Sequence, residues 1–404
     1  MFLILFFVGL IGALLAPIFS VPKLFLFIPF LFWKNKKIFF ILFVFLIINF
    51  YGGLKVFGTF EYVGRVIQTN DNYSLVFGKI FFENKWISLR MLVGINEELP
   101  LGDIVYYYGD MEVDNFSYPK VKLDKNRVIS SPYFSIFRNI YMISENFRKK
   151  LLKFSEIYYG LFGGKVKRDY IKKSGMYHFF SISGMHISII YAFFLFLFSK
   201  FELKEYLSLA FSFLFLIATG INLPALRAFL LIFFSTIFEG KMFNKIDILC
   251  VIGLLFLFIE PALAFSLSFY MSFFSTFGIL FVENKYLKMV SAFLGSAPFL
   301  ALFTNINLFS IIGTFILVIP FQILLFVLLI AFVFELFSLS IISEFLLKLF
   351  LSLTNIIEST LKIFATFPKV PGGIYTYLLF ELFFFVFLLH FGHIPYILKS
   401  KSSN

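Results

Sequence analysis

The chain holds a single cysteine, Cys250, inside an apolar block. No intrachain disulfide can form, and a cysteine-based metal site has no ligands. Histidine is scarce too, at four residues, and none stands with a glutamate in His-Glu-x-x-His spacing, which excludes that zinc hydrolase motif. No Gly-x-x-x-x-Gly-Lys-Ser/Thr loop occurs, so directed transport would draw its energy from another protein. Neither a cofactor nor a metal is expected. Charge is thin as well, at 14% of 404 residues. What fills the chain instead is apolar: 60% hydrophobic residues in long blocks, not in the short periodic pattern of a soluble domain. This predicts a polytopic α-helical membrane protein, and the 67 phenylalanines, spread through every block, suit lipid-facing positions.

Three apolar pieces, at 2–19, 22–33 and 38–51, make an N-terminal membrane region over 1–52. The first has no basic residue before it and no small-residue cleavage site after it, as expected of a retained anchor. Lys34, Lys36 and Lys37 lie between the second and third pieces, and short basic loops stay in the cytoplasm, so the third helix delivers the next segment to the outer face. That segment, 55–130, contains five β-rich runs: Val56 to Thr69, Tyr73 to Phe82, Trp86 to Val93, Asp103 to Val113 and Lys120 to Ile129. Turn-formers such as Asn70-Asp71-Asn72 and Pro100-Leu101-Gly102-Asp103 separate them. Five short strands at this spacing suit an inserted, extracytoplasmic OB-like β-barrel, though they also build other β-modules.

From 133 to 175 the chain is helical and cationic, with ten basic residues against three acidic ones, a net +7 of the total +12. Apolar residues interleave with the charges, as in an amphipathic segment on the membrane surface. Either it holds anionic lipid headgroups, or Arg148, Lys149, Lys150, Lys165, Lys167, Arg168, Lys172 and Lys173 capture a polyanion. Beyond it, basic loops at Lys200 to Lys204, Lys241 to Lys245 and Lys285 to Lys288 alternate with base-free connections. With the basic loops inside, crossings fall at 176–199, 205–220, 222–238, 247–259, 262–282 and 289–304. Leu308 to Phe337 is too long for one untilted helix and is interrupted by Pro320, which suggests a hairpin or a re-entrant element. Glu344, Lys348, Ser352, Asn355, Ser359 and Lys362 then form one polar stripe, and a last crossing at 374–391 closes a 176–395 membrane domain before a cytoplasmic tail, 396–404.

The run His178 to His186, HFFSISGMH, stands at the head of the 24 residues from Met176 to Ser199, which hold no Lys, Arg, Asp or Glu. Two imidazoles, Ser181, Ser183 and Gly184 are costly in hydrocarbon unless they face protein or water. Each histidine is either a satisfied core residue or part of a polar path, and Ser183-Gly184 is either a close packing contact or part of that path. Pro224 and Arg227 open a later crossing. A guanidinium there costs ~2.5–3.5 kcal/mol on insertion scales, repaid by an anion unless the side chain reaches the outer interface. An intramembrane hydrolase built on Ser181 or Ser183 lacks the Gly-x-Ser-x-Gly turn, so no catalytic residue is assigned.

GMYHFFSISGMHISII (Gly175 to Ile190) resembles the signature of the ComEC-type competence membrane channel family. NLPALRAFL (Asn222 to Leu230) is similar to that family's Pro-x-x-x-Arg segment, here with Pro-x-x-Arg, and Glu260-Pro261, Phe265 to Phe269 and Ala297-Pro298 fall at comparable places. The resemblance implies a channel, not an enzyme, that takes up single-stranded DNA across the cytoplasmic membrane in natural transformation. Its path would be lined by His178, Ser181, Ser183, Gly184, His186, Pro224 and Arg227. Members often carry a metallo-β-lactamase-like domain. No His-x-Asp-x-Asp-His motif occurs here, so a separate nuclease is expected, with a DNA receptor, a cytoplasmic motor, membrane lipids and, compatibly, further copies of the chain as partners. A transporter of another anionic solute or lipid is the alternative, ahead of a hydrolase.

Overall fold

The computed structural model describes residues 1–15, 29, 35–52, 58–70, 73–82, 85–95, 99, 103–112, 120–121, 127–130, 136–164, 166, 168–180, 182–219, 221–238, 244–259 and 261–392. The chain is mostly helical and divides into two compact units. The expected piece at 22–33 and the tail at 396–404 lie outside these residues, apart from Pro29.

The first unit takes Met1–Glu145, Leu209–Asn222 and Cys250–Ser266. Helices α1 (Phe2–Leu15) and α2 (Lys36–Gly52) pack closely because glycine removes the obstacle: a Cβ on Gly9 would stand 2.9 Å from Ile48 Cδ1. Asn49 Nδ2 then donates to the Gly12 carbonyl at 3.0 Å, satisfying a buried amide between apolar helices. The strands follow: β1 (Gly58–Asn70), β2 (Tyr73–Phe82), β3 (Lys85–Ile95), β4 (Ile104–Glu112), β5 (Lys120–Val121) and β6 (Arg127–Ser130). Along β1, Tyr62, Gly64 and Val66 are buried and Val63 and Arg65 exposed, the two-residue period of a half-covered strand. Tyr62 fits because its hydroxyl donates to the Val76 carbonyl at 2.8 Å.

Pairing runs from β1 to β2, β3, β5 and β4 and returns to β1, with β3–β5 parallel and the other four pairs antiparallel. The fifth expected run, Lys120 to Ile129, is two strands. Both lie on the edge of β4 that β1 leaves open, but Met111 faces Val121 whereas Tyr107 faces Arg127, a slip of two residues between them.

The second unit takes Asn146–Ser208, Leu223–Leu249 and Leu267–Asn404. The chain forms α3 (Ile136–Phe154), α4 (Glu156–Leu161), α5 (Asp169–Lys173), a 3-10 turn at Tyr177–Phe179, α6 (Gly184–Leu197), α7 (Lys204–Ala218), α8 (Leu223–Ile237) and α9 (Lys245–Ile259). Then come α10 (Leu267–Phe281), α11 (Lys285–Ala301), α12 (Ser310–Leu336), α13 (Ser340–Leu349), α14 (Leu351–Ala365) and α15 (Ile374–Phe391). The α10–α11 hairpin is drawn together at Gly295, where a Cβ would collide with the Phe274 carbonyl. Phe293 and Phe299 of α11 meet Phe380 and Tyr377 of α15.

Two expectations are corrected. Residues 310–336 are one continuous helix with Pro320 inside it, neither a hairpin nor a re-entrant pair, because the neighbours it packs against hold it through the missing hydrogen bond. The crossing expected from 176 starts as a helix only at Gly184, since the polar run before it is spent on turns and on the helix cap. At 14 residues α6 rises ~21 Å, less than a ~30 Å core. By length and composition α12 and α15 can each cross a bilayer, with α13 and α14, bent by 45°, a third if taken as one span.

Candidate functional site

The polar run of 174–186 is held in place by α12. Asn307, buried just before that helix, donates from Nδ2 to the carbonyls of Lys173 at 3.3 Å and Phe364 at 2.8 Å, tying α5 and α14 to one side chain. Gly175 turns the chain in the left-handed region (φ 78°), where a Cβ would stand 2.8 Å from Ser310 Cβ. Met176 then seats its sulfur against Gly313, and Phe179 stacks on Phe321 with ring centres 4.3 Å apart. Sequence reading missed these anchors. The pair Asn305 and Asn307, set between two apolar blocks, was the signal available.

The helix start itself is a capping box. The Ser183 backbone N–H donates to His186 Nδ1 at 3.2 Å, and the Ser183 hydroxyl lies 3.0 Å from the same nitrogen. A backbone N–H can only donate, so Nδ1 carries no proton and the hydroxyl is the second donor to it. The ring proton of the neutral imidazole is therefore on Nε2. His186 is buried, and the bond it accepts from the Ser183 N–H shapes the helix end. His178 is exposed, lies tilted against Phe179 with centroids 4.4 Å apart and bonds to the Gly175 backbone. Ser181 lies outside the described residues.

Small residues bring α6 and α8 together, and Tyr191 and Thr236 touch at 3.5 Å farther along. A Cβ on Gly184 would stand 3.1 Å from both Ala228 Cβ and Arg227 Nη2. Arg227 is 6% exposed, so it does not reach an outer interface through solvent. Its Nε and Nη1 are buried with no hydrogen-bond partner, and among the described residues no Asp or Glu pairs with it. The Phe273 ring face on α10 lies 5.9 Å from its Cζ. Pro224, half-buried, occupies the second position of α8, where its missing N–H has no helical partner to lose.

The eight cations of the basic segment separate into groups. Lys149, Lys172 and Lys173 are exposed, while Lys165 and Lys167 lie outside the described residues. Arg148 is buried, its Nη1 3.7 Å from the point where a Cβ on Gly163 would be. Lys150 bridges Glu335 at 3.0 Å and Glu344 at 3.3 Å. Arg168 donates from Nε to Glu156, whose bond and charge hold the guanidinium above its usual range. Three lysines are thus presented openly, and Arg148, Lys150 and Arg168 serve internal contacts. Among the described residues no three His, Cys, Asp or Glu side chains gather as metal ligands would.

A family model described as "Competence protein" matches residues 166–396, which takes in α5 to α15 and every residue of the Arg227 site. No curated protein and no solved structure matches the chain.

Proposed function

Because the chain belongs to the competence protein family, whose role implies involvement in DNA uptake, we propose that it is the membrane channel through which single-stranded DNA enters the cytoplasm in natural transformation. The family and the apolar helices mark a membrane protein; its multi-pass placement in the cytoplasmic membrane belongs to this proposal. The observation that carries the reading is Arg227, a buried guanidinium with no carboxylate partner among the described residues, set against the start of α6. A buried cation left without an internal counter-ion is expensive, and transient binding of an anion compensates for it.

The load is severe. A strand with a phosphate every ~3.4 Å puts roughly nine charges across a ~30 Å core. None can touch lipid, so the path must be sealed in protein and bind weakly enough to release each phosphate. His178, Ser181, Ser183, Gly184, His186, Pro224 and Arg227 line it in this reading. In this reading the ring of β1, β2, β3, β5 and β4 is an OB-type barrel on the outer face that holds base faces without reading sequence, and Lys149, Lys172 and Lys173 bind phosphates. A separate receptor, nuclease and cytoplasmic motor complete the machine, and no chemistry is assigned to this chain.

The Ser183–His186 pair gives the hydrolase reading its one structural argument. Helix capping accounts for that pair, since the same Nδ1 is already occupied by the Ser183 N–H. Entry of labelled DNA into the cytoplasm, compared with and without the chain in cells whose surface DNA binding is intact, tests the proposal. Unchanged entry would reject it.

A further inference from the structure

We propose that the N-terminus of α6 and the Arg227 guanidinium together form a docking site for a single phosphate group. The inference deepens the channel reading and rests on it for the identity of the molecule that carries the phosphate.

Two independent features converge on one point. The first is the helix end. In this 14-residue helix Ser183 takes the His186 N–H, the N–H groups of Gly184 and Met185 are left without an intrahelical acceptor, and the aligned peptide dipoles place about half a positive charge there. Ser183 and His186 satisfy the Ser183 N–H and shape the cap, yet both are neutral in this arrangement and bring no negative charge to the end. The second is Arg227, more than nine-tenths buried, with Nε and Nη1 lacking partners and Nη2 3.1 Å from where a Gly184 Cβ would stand. A guanidinium beside the positive end of a helix is repelled by it. Two positive groups buried side by side without a carboxylate make a site for an anion between them.

The fork of Arg227 selects the kind of anion. Adjacent N–H groups in a plane match two oxygens of a tetrahedral phosphate, and backbone N–H groups at a helix start bind a third. Gly184 matters because it has no Cβ. The two atoms within 4 Å of that position are Ala228 Cβ and Arg227 Nη2, so the guanidinium lies directly against the helix end. On the channel reading the phosphate is a phosphodiester of the strand, stripped of water and passed on one residue at a time. A phospholipid headgroup has the same chemistry and is the competing source.

Gly184→Ala probes the site at the first position of α6, where its methyl group would press on Arg227 Nη2 and Ala228 Cβ, each 3.1 Å away, and circular dichroism of the variant checks that the fold is kept. The full chain, in a sugar-based detergent without phospholipid, is melted against inorganic phosphate with chloride at matched ionic strength. The expected result is a saturable rise in melting temperature with phosphate over chloride, with the half-saturating concentration raised at least about tenfold in Gly184→Ala and in Arg227→Gln. A thymidine dinucleotide joined by one phosphodiester should reproduce the rise, and lysophosphatidylglycerol should not. No phosphate effect beyond chloride, or a Gly184→Ala protein responding as the parent does, overturns the site. A response to the lysolipid alone overturns the assignment to a strand. If phosphate stabilises the protein but DNA entry does not depend on the chain, the channel reading fails and the site stands.

Discussion

At Ser183 the chain enters α6 through one hydroxyl and one imidazole, and the pair sets different demands on the two positions. His186→Gln keeps a side chain that can accept the Ser183 N–H, as in the usual capping box, whereas His186→Ala removes the acceptor and leaves a cavity. The alanine protein should lose about 1–3 kcal/mol of stability and the glutamine protein less, a ranking that thermal unfolding in detergent reads directly. Arg227→Ala is expected to act otherwise. Removing a buried cation relieves a desolvation cost, so the protein level should hold within a factor of about two while uptake of labelled DNA falls about tenfold or more, as for loss of a charged hydrogen bond. Parallel losses of level and uptake would make Arg227 structural.

Between elements, close approach is decided by glycine. At Gly295 a Cβ would collide with the Phe274 carbonyl oxygen and lie 2.8 Å from its carbon, backbone atoms that cannot rotate away. Gly295→Ala should therefore splay α10 from α11 and cost about 1–3 kcal/mol, seen as a lower melting temperature. Gly373→Ala is the control: its φ of 145° is strained for alanine, yet no atom lies within 4 Å. Most helices were legible because apolar blocks and basic loops mark their bounds. The start of α6 was not, since hydropathy cannot distinguish residues 176–183 in a helix from the same residues spread over a 3-10 turn and a cap. Nor could it show that Pro320 sits inside an unbroken helix, an outcome fixed by neighbours far away in sequence. Within the site, Arg227 was visible as a lone charge, but its setting against Gly184 depends on a fold that spacing does not encode.

For the molecule as a whole, the net charge of +12 should appear as salt dependence. Binding of single-stranded DNA by the full chain should weaken linearly in log–log form as salt rises, and replacing Lys149, Lys172 and Lys173 together by Gln should reduce that slope by about two. An unchanged slope would place capture elsewhere. Orientation is open to chemistry as well. Cys250 is the single thiol, so Cys250→Ala gives a blank background in which Ser199→Cys should react with a membrane-impermeant reagent only from the cytoplasm and Asn222→Cys only from outside. The shortness of α6 also has an electrical side. Where a 14-residue helix of ~21 Å bounds the route, the resting voltage falls over about two-thirds of the usual ~30 Å, and the field along it steepens by roughly half. On the channel reading, an elementary charge crossing that stretch exchanges ~2.3 kcal/mol per 100 mV, and the polarity of the cell's own battery would bear on each nucleotide beside Arg227.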